Sequence, residues 1–86
     1  MNFIPTAGYG RDFSRLPRQR QQRVSKALEL LSANPRHPSL HFKKIQGRER
    51  FWEVRVTKSY RIVLEQVSGE DFSLRSVGTH DVLKKA

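Results

Sequence analysis

The sequence has no cysteine and no apolar run long enough to cross a bilayer. The first absence excludes disulfide staples and thiolate metal sites, so packing alone must hold the chain together. The second, with the lack of an apolar secretory segment near the N-terminus, leads to the expectation of a soluble protein of the cytoplasm. Acidic residues are scarce: 8 Asp and Glu stand against 17 Lys and Arg, a net charge of +9. A Gly-rich phosphate loop, a Ser/His/Asp arrangement and paired catalytic carboxylates are all missing. Internal repeats and low-complexity segments are absent too.

What remains is 86 residues, enough for one small domain spanning positions 1–86 with a single core. The charge imbalance favours a polyanionic partner: nucleic acid, an acidic protein segment or an anionic surface. A membrane is the weakest of these, since no basic amphipathic helix with a broad aromatic face occurs. Basic surfaces also serve solubility alone.

Hydrophobic periodicity orders the chain. Asn2 to Pro5 reads as a short opening strand. Tyr9, Phe13 and Leu16 recur at helical spacing, which predicts a short helix from Tyr9 to Leu16. Pro17 is a start signal for a second helix running to Ser32, with Val24, Leu28 and Leu31 in one stripe and Arg18, Arg20, Arg23 and Lys26 around its polar side. Asn34-Pro35 ends it, because the residue before proline avoids the α region. Arg36 to Gln46 reads as loop.

From Trp52 the period changes to two. Trp52, Val54 and Val56 alternate with Glu53, Arg55 and Thr57, and Tyr60, Ile62 and Leu64 alternate with Arg61, Val63 and Glu65. A three-residue connection puts Val54, Val56, Ile62 and Leu64 on one face and leaves Arg55 and Arg61 on the other; a two-residue loop would mix the faces. A third strand is expected from Phe72 to Val77, with Phe72 and Leu74 toward the core and Arg75 and Val77 on the arginine face. Gly78 would then use positive φ to turn the chain out, leaving Thr79, His80 and Asp81 at the sheet edge. The fold class is therefore α+β: a short N-terminal strand, then a two-helix hairpin packed on one face of an antiparallel sheet completed by three C-terminal strands.

Several side chains carry chemistry on this reading, each with a plainer alternative. Arg55 and Arg61 on adjacent strands make a guanidinium fork for phosphate oxygens, or they pair with Glu53 and Glu65 on the same face. His80 can exchange a proton near neutral pH, or it is a surface residue at a strand end. Lys43 and Lys44 track a nucleic-acid backbone, or they are a solvated pair. His37 and His41 have a metal-like spacing, but Pro38 lies between them and a third ligand is not evident. Phe51, Val63 and Val77 fall on the polar face, where either the tail after His80 or a partner must cover them.

Five segments together resemble the RelE/ParE superfamily of toxins from bacterial and archaeal type II toxin–antitoxin systems. They are Leu30-Leu31-Ser32-Ala33-Asn34-Pro35, His37-Pro38-Ser39-Leu40 with Lys43-Lys44-Ile45, Trp52-Glu53-Val54-Arg55-Val56-Thr57, Ser59-Tyr60-Arg61-Ile62-Val63 and Val77-Gly78-Thr79-His80-Asp81. The likeness runs in the same order over nearly the whole chain. It implies a toxin neutralised in a hetero-oligomer by a cognate antitoxin. In the RelE-like branch it also implies cleavage of messenger RNA in the ribosomal A site by the RNA's own 2′-hydroxyl, with no metal or cofactor. On that resemblance Arg61 stabilises the phosphate, His80 transfers the proton, Asp81 orients His80, and Lys43, Lys44 and Arg55 bind the RNA backbone. Lys84 stands where related nucleases carry a base-stacking aromatic and is counted with the substrate-binding residues. The ParE branch shares the fold but inhibits DNA gyrase without evident nuclease chemistry, and a degenerate toxin would bind only its antitoxin.

Overall fold

In a computed structural model the chain forms five strands and two helices. The structure describes the backbone of residues 1–85 and the side chains of residues 1–83. Strand β1 is Asn2–Pro5, helix α1 Ala7–Ser14, helix α2 Arg18–Ala33, strand β2 Lys43–Lys44, strand β3 Phe51–Arg55, strand β4 Tyr60–Ser68 and strand β5 Asp71–Thr79. Short 3-10 turns occupy Pro38–Leu40 and His80–Lys85. The sheet order is β1-β5-β4-β3-β2. All neighbours are antiparallel except β1 and β5, which run parallel.

The helices begin and end where local chemistry dictates. Thr6 caps α1: its hydroxyl accepts from the Tyr9 N–H and donates to the Leu74 carbonyl, so one side chain starts the helix and ties it to β5. The end of α1 tightens into 3-10 geometry, with Arg15 N–H on the Asp12 carbonyl and Leu16 N–H on the Phe13 carbonyl. Pro17 stands just before α2 and Asn34, extended ahead of Pro35, just after it. The inner face of the hairpin contributes Tyr9, Val24, Ala27 and Leu31 to the core. Burial pushes the Tyr9 phenol up to about 12. The sheet supplies Val54, Ile62, Leu64, Phe72, Leu74 and Val77, and the Pro38–Leu40 turn adds Leu40. Each such side chain removed from water stabilises by roughly 1.5–3 kcal/mol.

The β3–β4 hairpin has the three-residue connection that the alternation requires, with Val54 opposite Ile62 and Arg55 opposite Arg61. The structure corrects the reading elsewhere. Lys43 and Lys44 are not in a loop but form an edge strand against β3, opposite Glu53 and Trp52. Val77 does not join the arginine face. Leu64 pairs with Leu74 and Val63 with Ser76, so Arg75 is an extra residue in β5, and this bulge reverses the alternation. Val77 consequently lies opposite Ile62 and is buried in the core.

Gly78 does not use positive φ either; among the described glycines only Gly47 does. The need for glycine is steric. A Cβ at position 78 would meet Val82 Cγ1 at 2.9 Å. Gly78 pairs with Arg61, so Val82 and the closing turn come down on the arginine side of the sheet. The tail thus covers that face: Val63 there is 0 % exposed and Val82 is buried. Phe51 is half-buried, with the Arg48 guanidinium 4.7 Å from its ring centre.

Candidate nucleic-acid interface

Cross-strand register arranges the arginine side of the sheet in rows. One row runs Arg55, Arg61, Gly78 across β3, β4 and β5; the next runs Lys43, Glu53, Val63, Ser76 from β2 to β5. Lys44, one residue on, belongs to the other side, with its Nζ 5.6 Å from the Trp52 ring centre. The adjacent lysines therefore point to opposite faces of the edge. Both are exposed.

Arg61 is tied to the hairpin it belongs to. Its Nη1 donates to the carbonyls of Thr57 at 2.9 Å, Lys58 at 3.2 Å and Tyr60 at 3.1 Å. Its Nε lies 3.7 Å from Glu53 Oε1, and the two side chains are 11 % and 14 % exposed. The paired alternative holds for this arginine, while Glu65 faces Arg75 of the bulge at 3.6 Å instead of Arg55. Guanidinium carries five N–H donors. Among the described residues Arg61 Nη2 makes no hydrogen bond, which leaves one edge of the fork for an oxygen acceptor.

His80 is exposed at the start of the closing turn. With Lys58, Ser59, Thr79 and Asp81 it lines an open hollow of about 600 Å³. Because Tyr60 pairs with Thr79, the imidazole comes beside the β3–β4 connection, the same turn that Arg61 holds by its carbonyls. Arg61 itself does not line the hollow. Among the described residues Asp81 makes no hydrogen bond to His80, so its orienting role finds no contact. The Lys84 side chain lies outside the described residues.

Arg55 is placed apart from this group. It lines a groove of about 470 Å³ between α2, the Pro38–Leu40 turn and the end of β3, together with Arg23 and Lys26. Sequence reasoning put Arg23 and Lys26 on the polar side of α2 but missed the groove, since only the fold brings the helix against the end of β3. His37 serves the backbone: its Nδ1 accepts from the Ser39 N–H at 3.2 Å. Among the described residues no three His, Asp or Glu side chains gather to hold a metal ion, and no helix is long and apolar enough to cross a membrane.

The architecture is that of the RelE/YoeB/YafQ/ParE-like toxins. The toxin of the RelB–RelE antitoxin–toxin complex from Methanococcus jannaschii superposes with a TM-score of 0.73 at 22 % identity, over 95 % of each chain. YafQ in the DinJ–YafQ toxin–antitoxin complex of E. coli gives 0.78 at 14 % identity, over 95 % of this chain and 94 % of its own. A YoeB/ParE toxin from Agrobacterium tumefaciens gives 0.73 at 16 %, over 93 % and 99 %. No family profile and no curated protein sequence matches the chain.

Proposed function

We propose that this protein is the toxin of a type II toxin–antitoxin pair and cleaves messenger RNA on the ribosome. The 2′-hydroxyl gives its proton to water and attacks the adjacent phosphorus, the bond from phosphorus to the 5′ oxygen breaks, and a 2′,3′-cyclic phosphate and a 5′-hydroxyl remain. His80 gives a proton to the departing 5′ oxygen, a task suited to imidazole because its ring nitrogens both take and give protons near neutral pH. The free edge of Arg61 stabilises the equatorial phosphorane oxygens. Lys43 and Arg55 hold the RNA backbone. The observation that carries this reading is that Arg61 and His80 abut one hairpin turn.

A cognate antitoxin is the expected protein partner, by analogy with the complexes in which M. jannaschii RelE and E. coli YafQ were solved. A gyrase-directed or otherwise non-nucleolytic toxin is the second reading. What favours it is the extent to which Arg61 is already engaged by Glu53 and three carbonyls.

The decisive experiment induces wild type, His80→Ala and Arg61→Ala in cells and maps messenger-RNA ends. Wild type should produce new ends within translated codons, and each variant should reduce cleavage by roughly 100-fold or more. Growth arrest with intact messages would reject the nuclease and leave the second reading.

A further inference from the structure

Helix α1 does for the outer edge of β5 what a strand would otherwise do. Strand β1 ends at Pro5, opposite Leu74, so from Arg75 to Thr79 the outer edge of β5 has no strand beside it among the described residues. Backbone N–H and carbonyl groups shielded from water need partners. Here α1 supplies them on both sides of the extra residue Arg75. The Thr6 N–H and hydroxyl both donate to the Leu74 carbonyl, at 3.1 and 2.8 Å. Asp12 Oδ2 accepts from the Val77 N–H at 3.2 Å. Between these two ties the helix lies so near that a Cβ on Gly8 would touch the Arg75 carbonyl at 3.5 Å.

Asp12 is at odds with its own helix. It falls in the last turn of α1, where the macrodipole is negative and disfavours an acid. Among the described residues it makes no ion pair, although Arg11 and Arg15 are near it in the chain. The bond from Val77 is what this carboxylate gains, and a local conflict of that kind marks a position chosen for something other than helix stability. The segment it holds decides where β5 leads. Phe72 and Leu74 face the core, and an unbroken alternation would send Ser76 and Gly78 there too. The bulge moves parity by one residue, so Val77 is buried and Gly78 lies on the arginine side, opposite Arg61. His80 follows two residues on, in the hollow beside the β3–β4 connection.

We infer that Asp12 is a positioning residue: by holding the Val77 N–H it pins the bulge in β5 and so fixes the side of the sheet on which His80 emerges. A slip of one residue in β5 would turn Gly78 toward the helices and carry His80 away from the turn that Arg61 holds. Arg61 would stay in place, since its own register is set by the β3–β4 hairpin. The carboxylate thus governs how imidazole and guanidinium meet without lining the hollow itself. Its consequence for RNA cleavage rests on His80 being the proton donor, whereas its effect on the place of the imidazole does not.

NMR spectra of the histidine rings give a readout that needs no activity, with His37 and His41 as internal references. Asp12→Ala removes the acceptor, Asp12→Asn keeps a carbonyl oxygen there without the charge, and Ser14→Ala is a control at an exposed position of the same helix. Asp12→Ala should move the His80 signals, leave those of His37 and His41 in place, and speed exchange of the Val77 amide about tenfold, the loss of one hydrogen bond. Asp12→Asn should stay near wild type on each count, and Ser14→Ala should move nothing. In cells, Asp12→Ala should lower messenger-RNA cleavage by about 10-fold to 100-fold, and Asp12→Asn should recover most of it. Unmoved His80 signals in Asp12→Ala would overturn the positioning role, whatever happens to cleavage. An equal shift in Ser14→Ala would overturn it too, because loosening of α1 alone would then explain the change. Moved signals in a protein whose wild type leaves messages intact would keep the positioning role and reject the nuclease instead. Should Asp12→Ala fail to fold, Asp12→Ser, whose hydroxyl stops one bond short of the Val77 N–H, must move the His80 signals in the same way. Signals at their wild-type positions there would end the proposal.

Discussion

Arg55 and Arg61 are direct cross-strand partners, yet the fold engages one guanidinium with three carbonyls and a carboxylate and leaves a buried N–H of the other without a partner. Position on the hairpin makes the difference. Arg61 opens β4 just beyond the connection, so the carbonyls of that turn lie within reach, and Glu53 sits one residue pair along on β3. Arg55 ends β3, past the point where β2 gives an outer neighbour, and meets the cations of α2 instead of an acid. The same residue type on adjacent strands therefore meets two fates: Arg61 builds the turn that His80 approaches, and Arg55 holds a buried N–H that no described residue satisfies.

Stability measurements break this comparison most directly. Arg61→Met keeps much of the stem but removes the charge, stranding the half-buried Glu53 carboxylate and three carbonyls. It should cost about 2–3 kcal/mol in urea unfolding. Arg55→Met removes an unpaired buried donor and should be neutral or slightly stabilising. Equal losses from the two variants would mean that Arg55 has a structural role that its contacts do not reveal.

Gly78 sharpens the same row from its other end. A methyl group there meets Val82 within 2.9 Å, so Gly78→Ala must push the closing turn away from the sheet. The expected loss is about 1–2 kcal/mol, with faster hydrogen exchange along β4 near Val63. Shortening the contact from the other side tests the cause: Gly78→Ala combined with Val82→Ala should recover part of the loss. Strict additivity of the two single changes would place the strain somewhere else.

How much of this was legible in the sequence depends on the range of the interaction concerned. Local patterning gave the two helices, the β3–β4 hairpin and its register, because period 3.6, period 2 and the three-residue connection are all properties of neighbouring residues. Val77 was misplaced since a bulge at Arg75 shifts parity without any local signal such as glycine. Lys43-Lys44 passed for loop since a two-residue strand has no period to detect. The pairing of Arg61 with Glu53 could be named as an alternative on the hairpin register. The groove at Arg55 could not, since its two walls lie some 30 positions apart in the chain. The opening turn of α2 is legible in another way: no acid stands there, and cations take the place of the capping acids a stable helix prefers.

That opening turn yields the smallest effect and the clearest sign. Arg18 is the first residue of α2, exposed, beside the unsatisfied N–H groups of the helix start. Replacing it by an acid reverses an unfavourable interaction with the dipole, so Arg18→Glu should raise stability by about 0.5–1 kcal/mol, less in high salt. A loss of stability instead would show that the Arg18 side chain makes a contact on the surface of α2 that outweighs the dipole, and the start of the helix would then be set by packing and not by charge.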